Sequence, residues 1–147
     1  MSVPVILLVE DDANDVLLIR HAFRKAGEDA TIHVASDGDQ AVAYLAGEGE
    51  FAERSRYPLP AFVLLDVKLP RRSGHEVLAW IRDQPVLRRI PVVMLTSSDV
   101  SSDRNRAYDL GANSYLVKPS GTTDRNEMVR LMGLYWLSLN RPPELSQ

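Results

Sequence analysis

Val5-Ile6-Leu7-Leu8-Val9, followed at once by Glu10-Asp11-Asp12, sets the architecture of the chain. Five consecutive apolar side chains leave no polar face, which suits a strand covered on both sides in a parallel sheet. Three further runs share this design. Ala61-Phe62-Val63-Leu64-Leu65 ends in Asp66, Pro91-Val92-Val93-Met94-Leu95 ends in Thr96, and Ser114-Tyr115-Leu116-Val117 ends in Lys118. A fifth β-rich run, Thr31–Ala35, is mixed and is expected at an edge. Helix-like stretches alternate with these runs, which predicts an α/β fold: a doubly wound five-stranded parallel sheet with helices on both faces.

Periodicity gives five helices. Asn14 to Ala26 puts Val16, Ile19, Ala22, Phe23 and Ala26 on one face and stops at Gly27. A second opens at Asp37-Gly38 and buries Ala41, Val42 and Leu45; a third opens at Ser73-Gly74, buries Val77, Leu78 and Ile81, and ends before Pro85. Ser101 to Leu110 is a polar helix. Thr122 to Leu139 is the last, with an expected buried stripe of Met128, Leu131, Met132, Tyr135 and Leu139. Residues 46–60 are long for a connection and rich in Gly and Pro, so they are expected to be an inserted, exposed excursion. Residues 140–147 form a C-terminal tail, and residues 1–147 read as one domain with no output domain attached.

The 147 residues suit one core. The net charge of −3 points away from nucleic acid, and the basic pairs Arg71-Arg72 and Arg88-Arg89 fit solvated turns. With no cysteine, disulfides and thiolate chemistry are excluded. The first apolar run is too short for a signal peptide and no run approaches membrane-spanning length, so a cytoplasmic protein without a membrane partner is expected. His21, His33 and His75 are scattered without zinc-ligand spacing, and no Gly-x-Gly-x-x-Gly follows a strand.

In open α/β sheets ligands gather outside the carboxyl ends of the strands. That rule brings Glu10, Asp11, Asp66, Thr96 and Lys118 to one rim. Clustered carboxylates repel one another, and a hard divalent cation relieves the repulsion; Mg2+ takes carboxylates together with water and phosphate oxygens. Asp66 stands alone at its strand end and is the candidate nucleophile for an aspartyl phosphate. Lys118 would neutralise phosphoryl charge, and Thr96 would give it a hydrogen bond. Taken singly, each of these residues is better explained as a cap, a turn or a surface side chain; their combination at four strand ends is what carries the chemistry. Asp12 reads as a helix cap.

These motifs resemble the receiver domain of two-component response regulators, from about Val3 to Leu139. The residues that carry the resemblance are Leu8-Val9-Glu10-Asp11-Asp12, Leu64-Leu65-Asp66-Val67-Lys68-Leu69-Pro70, Ser73-Gly74, Pro91 to Thr96, Gly111-Ala112 and Tyr115-Leu116-Val117-Lys118-Pro119. The spacings, 30 residues from Asp66 to Thr96 and 22 from Thr96 to Lys118, agree with the family. The resemblance implies a flavodoxin-like sheet of strand order 2-1-3-4-5. It implies that Asp66 accepts a phosphoryl group from a sensor histidine kinase. Mg2+ would be held by Asp11, Asp66, Glu10 (mostly through a water) and the Lys68 backbone carbonyl. Thr96 and Lys118 would contact the phosphoryl group, Tyr115 would turn inward with Thr96, and the bond before Pro119 would be cis. Ser73 stands where the family commonly has an aspartate. The long loop, the opening from Glu10 to Ile19 and the tail Tyr135-Trp136-Leu137 resemble stand-alone regulators paired with phytochrome kinases.

Two surfaces are candidates for partners. Leu134 and Leu137 lie roughly 120–180° from the buried stripe of the last helix, at ~100° per residue, and suggest a homodimer face made by the fourth helix, fifth strand and fifth helix. Leu17, off the stripe of the first helix and beside the rim, is expected to dock a kinase helix. Two other functions fit the rim: a Mg2+-dependent aspartyl-phosphate phosphohydrolase and a receiver-like interaction module that is never phosphorylated. Dehalogenase-like hydrolases place a second acid two residues after the nucleophile, where this chain has Lys68.

Overall fold

Every apolar run becomes a strand of one parallel sheet in a computed structural model that describes residues 3–145. The strands are β1 (Val5–Val9), β2 (Thr31–Ala35), β3 (Phe62–Leu65), β4 (Val92–Thr96) and β5 (Ser114–Val117), in the order β2-β1-β3-β4-β5. The doubly wound fold expected from the sequence is the one found, with the mixed strand β2 at an edge. The helices are α1 (Ala13–Ala26), α2 (Gly38–Ala46), α3 (Gly74–Arg82), α4 (Ser101–Asp109) and α5 (Thr122–Gly133). No helix among the described residues is long and apolar enough to cross a membrane.

Alternation along the strands splits the core in two. Leu7, Val9, Val63, Leu65, Val92 and Met94 face Ala41, Tyr44 and Leu45 of α2 and Val77, Leu78 and Ile81 of α3. Ile6, Leu8, Phe62, Leu64, Val93 and Leu95 face Ile19, Ala22 and Phe23 of α1 and Val129 and Met132 of α5. The starts of α1, α2 and α3 are fixed by side chains that take otherwise unpaired first-turn amides, each worth ~1 kcal/mol. Asp12 accepts from Asn14 and Asp15, Asp37 accepts from Gln40, and Ser73 forms a reciprocal capping box with Glu76.

Register places the rim. Val9 pairs with Leu65, Leu65 with Met94, and Thr96 with Val117, so Glu10, Asp66, Thr96 and Lys118 leave the sheet side by side. The loop after β3 is then pressed onto α3: the Gly74 amide donates to the Val67 carbonyl at 2.8 Å. A Cβ on Gly74 would lie 2.0 Å from the Asp66 carbonyl oxygen, so only glycine fits.

The structure departs from the sequence expectations at three places. The buried stripe of the last helix is Val129, Met132 and Gly133, with Met128, Trp136 and Leu137 packed partly against the same core. Leu131, Tyr135 and Leu139, expected inside, are 51%, 48% and 63% exposed. Leu137, expected on an outer ridge with Leu134, is half-buried against the core, while Leu134 is exposed. The cause is packing against α1, where Gly133 lets the backbone come up to Phe23 and Glu28. The helix continues past Gly133 as a π-helical segment, Leu134–Leu139, whose wider turn re-aims the terminal side chains.

The second departure concerns Pro119: no cis peptide bond occurs among the described residues, so Lys118–Pro119 is trans. Trans is the lower-energy isomer of an X–Pro bond by roughly 0.5–1 kcal/mol. In this setting the Lys118 amide still reaches the Thr96 carbonyl at 2.8 Å.

The third concerns residues 46–60. They do make a short 3-10 turn, Gly49–Ala52, but they do not simply project into solvent. Phe51 and Tyr57 fold back on Tyr44 and His33 with ring centroids 5.2–5.9 Å apart. Arg54 clamps the C-terminal end of α2 by donating to the carbonyls of Tyr44 and Leu45, both at 2.7 Å. Ser146 and Gln147 of the tail lie outside the described residues.

Gly74→Ala should lower stability by about 3 kcal/mol through overpacking, read as a lower urea midpoint. A pH dependence is expected from His33, whose Nδ1 lies 2.8 Å from the Tyr44 hydroxyl, which itself donates to the Pro58 carbonyl. Burial, then the charge of Arg20, holds the His33 pKa below its ordinary value. The unfolded chain therefore binds the proton more readily, and this contribution is present above the unfolded pKa and lost as pH falls through the folded one. His33→Gln should lose less stability than the parent between about pH 7.5 and about pH 5, measured by urea unfolding at each pH.

Candidate functional site

Each rim residue is held by the strand it ends. The Glu10 amide donates to the Ala35 carbonyl at 3.0 Å and the Asp66 amide to the Val9 carbonyl at 3.2 Å, so both acids extend the sheet by one step. This buries their side chains: Glu10 is 2% exposed and Asp66 7%. Asp11, next along, is exposed at the mouth. One carboxylate oxygen from each of Glu10, Asp11 and Asp66 lies within 4.8 Å of the others. A cluster of hard oxygen donors at that spacing fits a divalent cation such as Mg2+ or Mn2+. Asp12 takes no part and caps α1.

Lys118 supplies the positive charge. Its ammonium donates to Glu10, to Asp15 Oδ2 at 2.9 Å and to Asp66 Oδ2 at 3.0 Å. Burial alone would lower its pKa, but the three carboxylates outweigh burial and raise it above the ordinary lysine value. Burial pushes Glu10 the other way for an acid, up to about 7, against the pull of Lys118 and of the Asp12 amide on Oε2. The group therefore has more carboxylate than its one ammonium balances.

Thr96 is buried behind the acids. Its Oγ1 accepts from the Ser98 amide at 3.2 Å, which leaves its own O–H to give. Ser98 Oγ donates to Asp103 at 2.6 Å, and Tyr115 donates its phenol O–H to the Ser98 carbonyl at 3.0 Å. Nε2 of the buried His75 lies 2.9 Å from the Asp103 carbonyl. The first turn of α4 is thus tied to Thr96 through Ser98. On the same side an open cleft of about 500 Å³ is lined by Asp11, Lys68, Ser73, His75, Asp103 and Arg106.

Of the residues singled out from sequence, Glu10, Asp11, Asp66 and Lys118 converge, and Thr96 is tied to Lys118 through its carbonyl, which accepts from the Lys118 amide at 2.8 Å. Lys68 has an exposed side chain, and its amide lies 3.4 Å from Asp66 Oδ1. Leu17 is 65% exposed. Sequence reasoning misses Asp15, Ser98, Asp103 and His75. Asp15 carries only a weak signal, its place in the first turn of the helix that follows the rim acids. Nothing in the sequence brings His75 to Asp103.

Residues 6–130 match the response regulator receiver domain. The probable methanogenesis regulatory protein FilR2 of Methanothrix harundinacea is 42% identical over 139 residues, 95% of this chain and 87% of that one. Response regulator Rcp1 of Synechocystis is 41% identical over 133 residues, 90% of this chain and 88% of that one. The Mn2+-bound structure of Rcp1 aligns with TM-score 0.86 at 38% identity, covering 96% of this chain and 99% of that one. The phosphorylated cyanobacterial phytochrome response regulator RcpA aligns with TM-score 0.90 at 36% identity, covering 97% of this chain and all (100%) of the other. With the strand order, the acid cluster and these matches in agreement, the chain belongs to the response regulator receiver family.

Proposed function

We propose that this receiver takes a phosphoryl group on Asp66 from a sensor histidine kinase and signals through the change in shape that follows. The observation that carries the reading is the setting of Asp66: a buried carboxylate clustered with Glu10 and Asp11 and bonded to the Lys118 ammonium at 3.0 Å. An Asp66 oxygen attacks phosphorus, the O–P bond forms, the P–N bond of the donor phosphohistidine breaks, and its electron pair returns to the imidazole, which takes a proton from solvent. Hydrolysis reverses the loading: a water oxygen attacks phosphorus and Asp66 leaves as the carboxylate, so the protein acts on itself and is not a turnover enzyme. Glu10, Asp11, Asp66 and the Lys68 carbonyl would hold Mg2+, which supplies neutralisation of phosphoryl charge when bound. Lys118 and the free Thr96 O–H would contact phosphoryl oxygens. Drawing Thr96 forward would give up its bond from the Ser98 amide, and Tyr115, already packed against the core and bonded to the Ser98 carbonyl, would hold the loop in the new position.

Lys68 speaks against the phosphohydrolase reading, because an ammonium stands where such an enzyme needs its second acid. The likeness to RcpA, a phytochrome response regulator, supports a phytochrome-type kinase as the partner. The same reading puts the pair in the cytoplasm and makes the exposed Leu17 part of the docking surface. The exposed Leu131, Leu134 and Tyr135 support a homodimer with a second copy through the α4–β5–α5 face; Leu137, being half-buried, is not part of that ridge.

With acetyl phosphate and Mg2+, intact mass should show a single phosphoryl adduct that is absent in Asp66→Asn. Steady release of phosphate from many esters would favour the hydrolase instead, and no adduct from any donor the silent module. With a phosphorylated phytochrome-type kinase as donor, Leu17→Asp should slow transfer to Asp66 while leaving acetyl phosphate labelling unchanged; equal rates from both donors would remove Leu17 from the docking surface. For the dimer, Leu131→Glu plus Tyr135→Glu should halve the mass seen by sedimentation of the phosphorylated protein, and an unchanged mass counts against that face.

A further inference from the structure

We propose that Asp15 is a positioning residue for phosphoryl transfer, holding the Lys118 ammonium beside Asp66; this rests on the reading of Asp66 as the phosphoacceptor. An ammonium has three N–H donors, and here they go to three carboxylates: Glu10, Asp66 and Asp15. The first two belong to the acid cluster that suits a divalent cation, and Asp15 does not. When a cation compensates Glu10 and Asp66, and when Asp66 exchanges its carboxylate charge for a phosphoryl group, Asp15 is the one partner of Lys118 that neither event alters. It is therefore the fixed leg from which the ammonium can turn from a carboxylate oxygen to a phosphoryl oxygen without leaving the site.

The bland explanation of an acid at this place is helical. Asp15 is in the first turn of α1, where negative charge is favourable, and it stands three residues after the cap, where an acid often accepts from the cap residue's own amide. The bonds are otherwise. The Asp12 amide donates to Glu10 Oε2 at 3.1 Å, and the Asp15 carboxylate goes to Lys118. Among the described residues no other cation lies within 4 Å of Asp15. The side chain is 31% exposed and the Lys118 side chain 14%, so the pair closes the α1 side of the rim without being sealed in the core. Ile19, Leu95, Pro119 and Arg125 line the small cavity next to it; their side chains offer the ammonium no alternative acceptor, and Arg125 makes no ion pair with Asp15.

The test follows labelling by acetyl phosphate at saturating Mg2+. Asp15→Ala should slow it about tenfold, as misplacement of a charged group at a reacting centre does. Asp15→Asn, which keeps an oxygen acceptor for the ammonium, should recover most of the rate. The Mg2+ affinity of Asp15→Ala, by calorimetry, should match the parent. In a Lys118→Ala background, Asp15→Ala should cause no further loss, a result that a merely structural role in α1 would not give. Parental labelling by Asp15→Ala, a parallel fall in Mg2+ affinity, or full additivity with Lys118→Ala overturns the proposal. Failure of the parent to label at all overturns the phosphoacceptor reading, and this inference with it. Should Asp15→Ala fold poorly by circular dichroism, the same comparison made with Asp15→Asn and Asp15→Leu decides the matter.

Discussion

One ammonium makes the rim of this sheet possible. Lys118 is only 14% exposed on its side chain and touches three carboxylates, two of them on strand ends that are almost closed to water. Removing one partner from such a group leaves an uncompensated buried charge, at a cost of about 3–5 kcal/mol in comparable cases. The strands that carry Glu10 and Asp66 can therefore end in buried acids only because β5 lies in register to bring a cation beside them. The excess of negative charge that remains is what makes the site receptive to a divalent cation. Stability and function meet here in conflict: a rim with its charges fully balanced would be more comfortable, and would bind nothing.

The fold's contribution is alignment. Parallel pairing with Val9 opposite Leu65 and Thr96 opposite Val117 brings four strand ends level. Connections then have to leave the rim without covering it. The loop after β3 does so by lying flat on the N-terminus of α3, at an approach that Gly74 alone permits. A single missing Cβ thus fixes the carbonyl of Asp66, the residue proposed to take the phosphoryl group.

What is legible in the sequence follows from the same logic. Strands buried on both faces have to be apolar throughout, and each run stops at a residue of a different chemical type, so both the sheet and most of the rim can be read directly. The last helix resists such a reading because from Met128 onward it carries apolar residues on nearly every side: Met128, Val129, Leu131, Met132, Leu134, Tyr135, Trp136, Leu137 and Leu139. Periodicity cannot choose between stripes one residue apart when both are apolar; contact with α1 chooses, through the small Gly133. The inserted loop misleads because Phe51 and Tyr57 are scattered among charges and glycines, and their partners, Tyr44 and His33, come from two other elements. Asp15 hides in the sequence because an acid in a first helical turn already has a sufficient local reason.

The helices are not anchored equally, and the inequality lies where the site needs it. α2 and α3 each bury five residues, whereas α4 buries Ala107 alone. Little apolar area holds α4 down, and hydrophobic attachment scales with that area. Its first turn is fastened by polar bonds instead: His75 to the Asp103 carbonyl, Ser98 to the Asp103 carboxylate, and Ser98 in turn to Thr96 and Tyr115. Polar bonds of this kind are each worth only about 1 kcal/mol net and can be exchanged for others or for water, whereas a buried leucine cannot be moved without opening a void. Elements of low local stability are the ones that shift first. Thr96 stands between the rim and this lightly held helix, so an event at Asp66 that takes up the Thr96 hydroxyl would act on the helix of the five with the fewest buried residues.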